Sequence, residues 1–63
     1  MLTPAASLIP GDAYTVGPDT YTVTSAPYTG TGFLGDPVLC IPVTVRGDEV
    51  RDVVHPDHQV EKS

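Results

Sequence analysis

The clearest periodicity in the chain has a step of two. Thr20, Thr22 and Thr24 alternate with Tyr21 and Val23, which predicts a strand over Thr20–Ser25 with a solvated Thr face and a buried Tyr/Val face. Val38 to Val45 is the most apolar segment, with Leu39, Ile41, Val43 and Val45 on one face and Cys40, Pro42 and Thr44 on the other. Pro42 has no N–H, so it predicts an edge or a bulge, and it interrupts an otherwise aggregation-prone run. Glu49 to Val54 alternates less well. Val50 and Val54 share a parity with Asp52 while Val53 breaks step, which predicts a bulge or a shift of sheet. Ala13–Val16 and a short closing strand, Gln59–Glu61, complete a set of five, the last placing Val60 in the core. Helix is excluded as a major element: seven prolines run from Pro4 to Pro56, and no Pro-free window repeats apolar residues at helical spacing.

Turn chemistry separates the strands. Pro10-Gly11-Asp12 leads into the first strand, and Gly17-Pro18-Asp19 opens the second. Pro27 to Pro37 reads as a loop. Arg46-Gly47-Asp48 reads as the hairpin turn between the third and fourth strands, with Gly47 supplying a positive φ. His55-Pro56-Asp57-His58 reads as a tight turn of 3₁₀ type. The ends, residues 1–7 and 62–63, are expected to fray, the former as a flexible N-terminus and the latter as a tail.

Five short antiparallel strands with one 3₁₀ turn before the last describe an all-β, small SH3-like barrel over residues 8–61. The chain resembles the short SH3-like proteins of actinobacteria and their phages in three places. These are the Pro10-Gly11-Asp12 turn, Tyr21-Thr22-Val23, and the His55-Pro56-Asp57 turn before the last strand. The resemblance implies a fold and not an activity. With no Trp and no acidic-aromatic first loop, the Pro-rich peptide groove of signalling SH3 domains does not carry over. The Lys/Arg pattern of RNA-binding relatives is missing as well. A preponderance of Gly, Ala, Arg and Pro over residues with AT-rich codons agrees with a GC-rich genome.

Charge and size then limit function. Three bases against eight acids give a net charge of −5, too few cations to release phosphate counterions, so nucleic acid is not an expected partner. No polybasic run or long apolar stretch favours a membrane. Cys40 is the single cysteine. No intrachain disulfide can form, which together with an N-terminus lacking a signal-peptide pattern predicts a cytoplasmic setting in a bacterial or phage-infected cell. Ordering about 50 residues at roughly 1.5 kcal/mol each costs on the order of 75 kcal/mol, and burying roughly 3,000 Å² of apolar surface at about 25 cal/mol/Å² returns a similar sum. So close a balance predicts a homo-oligomer formed at a strand edge, or a component of a larger assembly.

Candidate chemistry is sparse. Gly30-Thr31-Gly32-Phe33-Leu34-Gly35 spells the dinucleotide fingerprint, but Asp36-Pro37 leads into a strand instead of a helix N-terminus, so no cofactor is expected. His55, Asp57 and His58 with Cys40 match no established zinc spacing, and no metal is expected. Asp48, Glu49, Asp52, Asp57 and Glu61 concentrate acids in the last third, where a filled barrel offers no cleft for acid–base work; no catalytic residue and no enzyme are predicted. Arg46-Gly47-Asp48 matches the integrin tripeptide in letters and is read as turn chemistry. The partner-binding candidates are Tyr28, Phe33 and Leu34, large apolar groups on a Gly-rich loop, with Asp36 at the end of that loop, against the alternative that Phe33 and Leu34 fold back to cap the barrel. The expected function is a non-enzymatic protein-interaction or assembly module, a phage or bacterial accessory protein. An acidic nucleic-acid mimic that occupies the basic site of another protein is the first alternative, and a minor virion component the second.

Overall fold

The computed structural model describes all 63 residues. Seven strands form one antiparallel sheet: β1 Leu2–Pro4, β2 Ala13–Val16, β3 Asp19–Val23, β4 Tyr28–Thr31, β5 Pro37–Val45, β6 Asp48–Val54 and β7 Gln59–Lys62. Their order is β1-β7-β2-β3-β5-β4, with β6 on the other edge of β5. The sheet curls into a half-barrel. All five expected strands are present, and β1 and β4 are additional to them.

Local turn chemistry explains two tight hairpins. Val45 faces Asp48 across Arg46-Gly47. Both turn residues have positive φ, +54° and +81°, the requirement of a type I′ turn. Val16 faces Asp19 across Gly17-Pro18. There Gly17 at φ +59° precedes a proline ring held near −65°, the sequence of a type II′ turn.

Inward-facing side chains build one small core from Ala5, Leu8, Tyr14, Val23, Leu39, Ile41, Val43 and Val60. Tyr14 and Tyr21 sit directly opposite on β2 and β3, their rings tilted at 53° with centroids 5.5 Å apart, a favoured aromatic geometry. The Tyr14 hydroxyl donates to Asp52 Oδ2 at 2.7 Å. This bond joins β2 to β6 through side chains where no backbone ladder does. Burial, followed by this hydrogen bond, pushes the Tyr14 phenol well above its usual range.

Several expectations are corrected. The residues read as a flexible N-terminus are paired: β1 lies on β7, Ala5–Ser7 makes a 3₁₀ turn, and Ala5 is fully buried. The Ala5 amide donates to His58 O at 2.9 Å, so the N-terminal segment satisfies an edge that would otherwise be open. The C-terminal tail is tied down too, Lys62 within β7 and the Ser63 amide on Ala13 O at 2.9 Å. The single 3₁₀ turn is therefore near the start of the chain. His55–His58 is a β-turn closed by the His58 amide on His55 O at 2.9 Å, and the Asp57 amide donates to His55 Nδ1 at 3.0 Å.

The Pro27–Pro37 loop contains a strand, β4, paired with β5. The bulge or shift of sheet expected at Val53 is absent, because β5 and β6 pair without interruption from Leu39–Val54 to Val45–Asp48 within one sheet. Pro42 lies in a central strand, not at an edge. Its carbonyl accepts the Thr24 amide at 2.9 Å, which shows that its nitrogen faces the same side. That side is the gap between β4, which pairs with residues 37–40, and β3, which pairs with 43–44. No ladder bond is lost there.

Candidate functional site

The strand register assigns two faces to the β4–β5–β6 unit. Leu39, Ile41 and Val43 point into the core. On the opposite, outer face, Tyr28 is level with Cys40 and Val53, Gly30 with Val38, and Pro42 with Arg51. This outer face is itself apolar. Cys40 is buried although it points away from the core, because Tyr28 and Arg51 arch over β5 from either side: the Arg51 Nη1 donates to the Tyr28 hydroxyl at 3.2 Å. The same hydrogen bond raises the Arg51 guanidinium above its ordinary value.

Glycine makes the depression. A Cβ on Gly30 would lie 3.1 Å from Cys40 Sγ, and one on Gly32 would lie 3.0 Å from Val38 Cγ1. Without those side chains a groove of about 370 Å³ opens between the hairpin and β6, walled by Tyr28, Phe33, Val38, Cys40, Arg51 and Val53. Past the Tyr28–Arg51 bridge, a more open and more polar cleft of about 440 Å³ continues along the face, beside Thr24, Ser25, Pro42 and Glu49.

The β4–β5 hairpin overhangs one end of this groove. Its five-residue tip is closed by the Gly32 amide on Asp36 O at 2.6 Å and the Gly35 amide on Gly32 O at 3.0 Å. Gly35 takes a φ of +85°, which a side chain would resist. Phe33 is 102% exposed and Leu34 83%, so neither caps the half-barrel. Of the four residues singled out from the sequence, Tyr28 and Phe33 line the groove, while Leu34 and Asp36 stand beside it at the tip. Val38, Cys40, Arg51 and Val53 are not among the residues the sequence singles out for contact. Their signal is there nonetheless, in the Val53 that breaks the alternation and sits opposite Cys40.

Other candidates stay apart. Gly30 to Gly35 runs along a hairpin into β5 and meets no helix N-terminus. His55, Asp57, His58 and Cys40 are not drawn into any group of three metal-ligating side chains. The acids are dispersed: Asp12 pairs with Lys62 at 3.4 Å, Asp19 with Arg46 at 2.7 Å, and Glu61 with the Met1 amino group. Asp52 turns inward to Tyr14, and Glu49 lies on the outer face beside the open cleft. No helix is long and apolar enough to cross a membrane. No family model, curated protein or solved structure matches the chain.

Proposed function

We propose that this chain is a non-enzymatic protein-interaction or assembly module of the SH3-like barrel class, a cytoplasmic accessory protein of a bacterium or phage. On this reading β2, β3, β5, β6 and β7 make up the barrel element, and β1 and β4 are additions to it. The observation that carries the reading is the outer groove, lined by Val38, Cys40 and Val53 together with Thr31 and Arg51, beside a hairpin tip whose two largest apolar side chains, Phe33 and Leu34, are solvated. Such groups contribute nothing to the fold where they stand, and aromatic anchors next to a partly desolvated groove are the usual core of a protein contact. The dispersal of acids over both faces and into local ion pairs supports this reading over nucleic-acid mimicry, which needs a continuous run of charge.

A photo-crosslinking residue placed at Leu34 in the full chain, with Thr20 on the solvated face of β3 as control, tests the proposal in lysate of the source cell. A discrete protein adduct from position 34, lost on Val53→Asp, is expected. Equal labelling from positions 34 and 20 would overturn it.

A further inference from the structure

The outer face carries two features that fit each other. Arg51 has no carboxylate within ion-pair distance, although the other two cationic side chains, Arg46 and Lys62, are paired. Asp36, at the hairpin tip, has no ion-pair partner either. Asp36 precedes the first residue of β5, and Arg51 lies level with Pro42. Six residues at roughly 3.3 Å each separate the two levels by about 20 Å along the strand. The midpoint falls at Leu39, whose neighbours Val38 and Cys40 floor the groove.

Building on the contact surface just described, we propose that its occupant is a second copy of this chain. The two outer faces stack about a two-fold axis that runs across the strands at the level of Val38 and Cys40. That rotation exchanges the ends of the face. Each Asp36 then lies over the other copy's Arg51 level, making two identical ion pairs, as an isologous contact requires. Each Phe33–Leu34 tip covers the other copy's open cleft beside Pro42 and Tyr28, and the two grooves close on one another. Glu49 borders the same cleft and is the one like charge near the tip. A standard interface buries about 800 Å² per partner, about a fifth of the 4093 Å² this chain exposes. With only nine of 63 residues buried, covering the second apolar face adds to a small core.

Sedimentation equilibrium of the full chain, from micromolar to about 1 mM, tests this. A reversible dimer is expected. Phe33→Ser should weaken it about tenfold or more. Asp36→Arg and Arg51→Asp should each weaken it by about tenfold. The two charge reversals together should return the dissociation constant to within about threefold of the wild type, since each pair is again opposite in sign. A chain that stays monomeric throughout overturns the proposal, and so does a dimer indifferent to these substitutions. A monomer that still crosslinks from position 34 to a different protein overturns the dimer alone and leaves the contact surface standing. A monomer with no such adduct removes both.

Discussion

Strand β5 is apolar on both faces, and the two faces meet different fates. Leu39, Ile41 and Val43 are enclosed by Tyr14, Val23, Val60 and the N-terminal Ala5 and Leu8. One residue out of step, Val38, Cys40 and Pro42 are covered only by a Tyr28–Arg51 bridge, two glycine-bearing positions of the β4–β5 hairpin, and Val53. Since successive side chains point to opposite faces, this one strand separates a surface the chain completes for itself from one it leaves half finished. The inner face determines whether the molecule folds. The outer face stores apolar area that folding alone does not use.

Substitutions on the two faces should therefore differ most at Ile41. It is fully buried, and Ile41→Ala should cost about 2–5 kcal/mol. That is a large share of the few kcal/mol available to a domain this small, and urea titration should show the midpoint collapse. Val53→Ala, opposite Cys40 on the outer face, should cost about 1 kcal/mol or less in the same titration. Equal losses would mean the outer face is part of the core.

Tyr14 probes how the inner face is closed. Tyr14→Phe keeps the ring and removes the bond to Asp52, leaving a partly buried carboxylate short of a donor, a cost of about 1–3 kcal/mol. It should also change the response to alkali. The folded-state phenol is raised, so its proton is held more tightly in the folded chain than in the unfolded one. The stability this provides is complete below the unfolded value of about 10 and falls as pH rises beyond it. The wild type should lose stability more steeply above pH 10 than Tyr14→Phe does; parallel curves would show that this phenol does not govern the alkaline limb.

Gly30 probes the floor of the outer groove. Gly30→Ala places a methyl group against Cys40 Sγ and should cost about 1 kcal/mol, the order expected of crowding a packed contact. In Cys40→Ala the same substitution should be tolerated, giving a coupling of at least about 0.5 kcal/mol in a double-mutant cycle. Additive costs would show that the thiol and Gly30 do not share the space.

The same contrast explains what was legible from the sequence. The inner face could be read from strict alternation in Tyr21-Thr22-Val23 and Leu39 to Val45. The Gly17-Pro18 and Arg46-Gly47 hairpins follow from local φ requirements. What escaped depends on non-local pairing. Tyr28-Thr29-Gly30-Thr31 has the composition of a loop and becomes a strand because β5 offers it an edge. Leu2-Thr3-Pro4 is three residues long and is ordered by β7, nearly the whole chain away. Val53 was informative in a different sense: with one face assumed solvated, its parity implies a bulge, whereas a second apolar face gives it Cys40 as a partner and leaves the ladder regular. Tyr28 and Phe33 could be found as aromatics near glycines, but that they share a groove with Val38, Cys40 and Arg51 required the register.

The smallest expected effect is the most informative about use. Phe33 and Leu34 touch no part of the core, and a solvated position away from caps, cavities and buried polar groups tolerates substitution within about 0.5 kcal/mol. Phe33→Ser and Leu34→Ser should therefore leave the unfolding free energy of the isolated protomer unchanged, measured at dilution well below any association. A melting temperature lowered by several degrees at that dilution would restore the alternative that the tip caps the half-barrel. Substitutions that leave the protomer intact and still abolish a contact would separate the two faces of β5 into one that makes the fold and one that uses it.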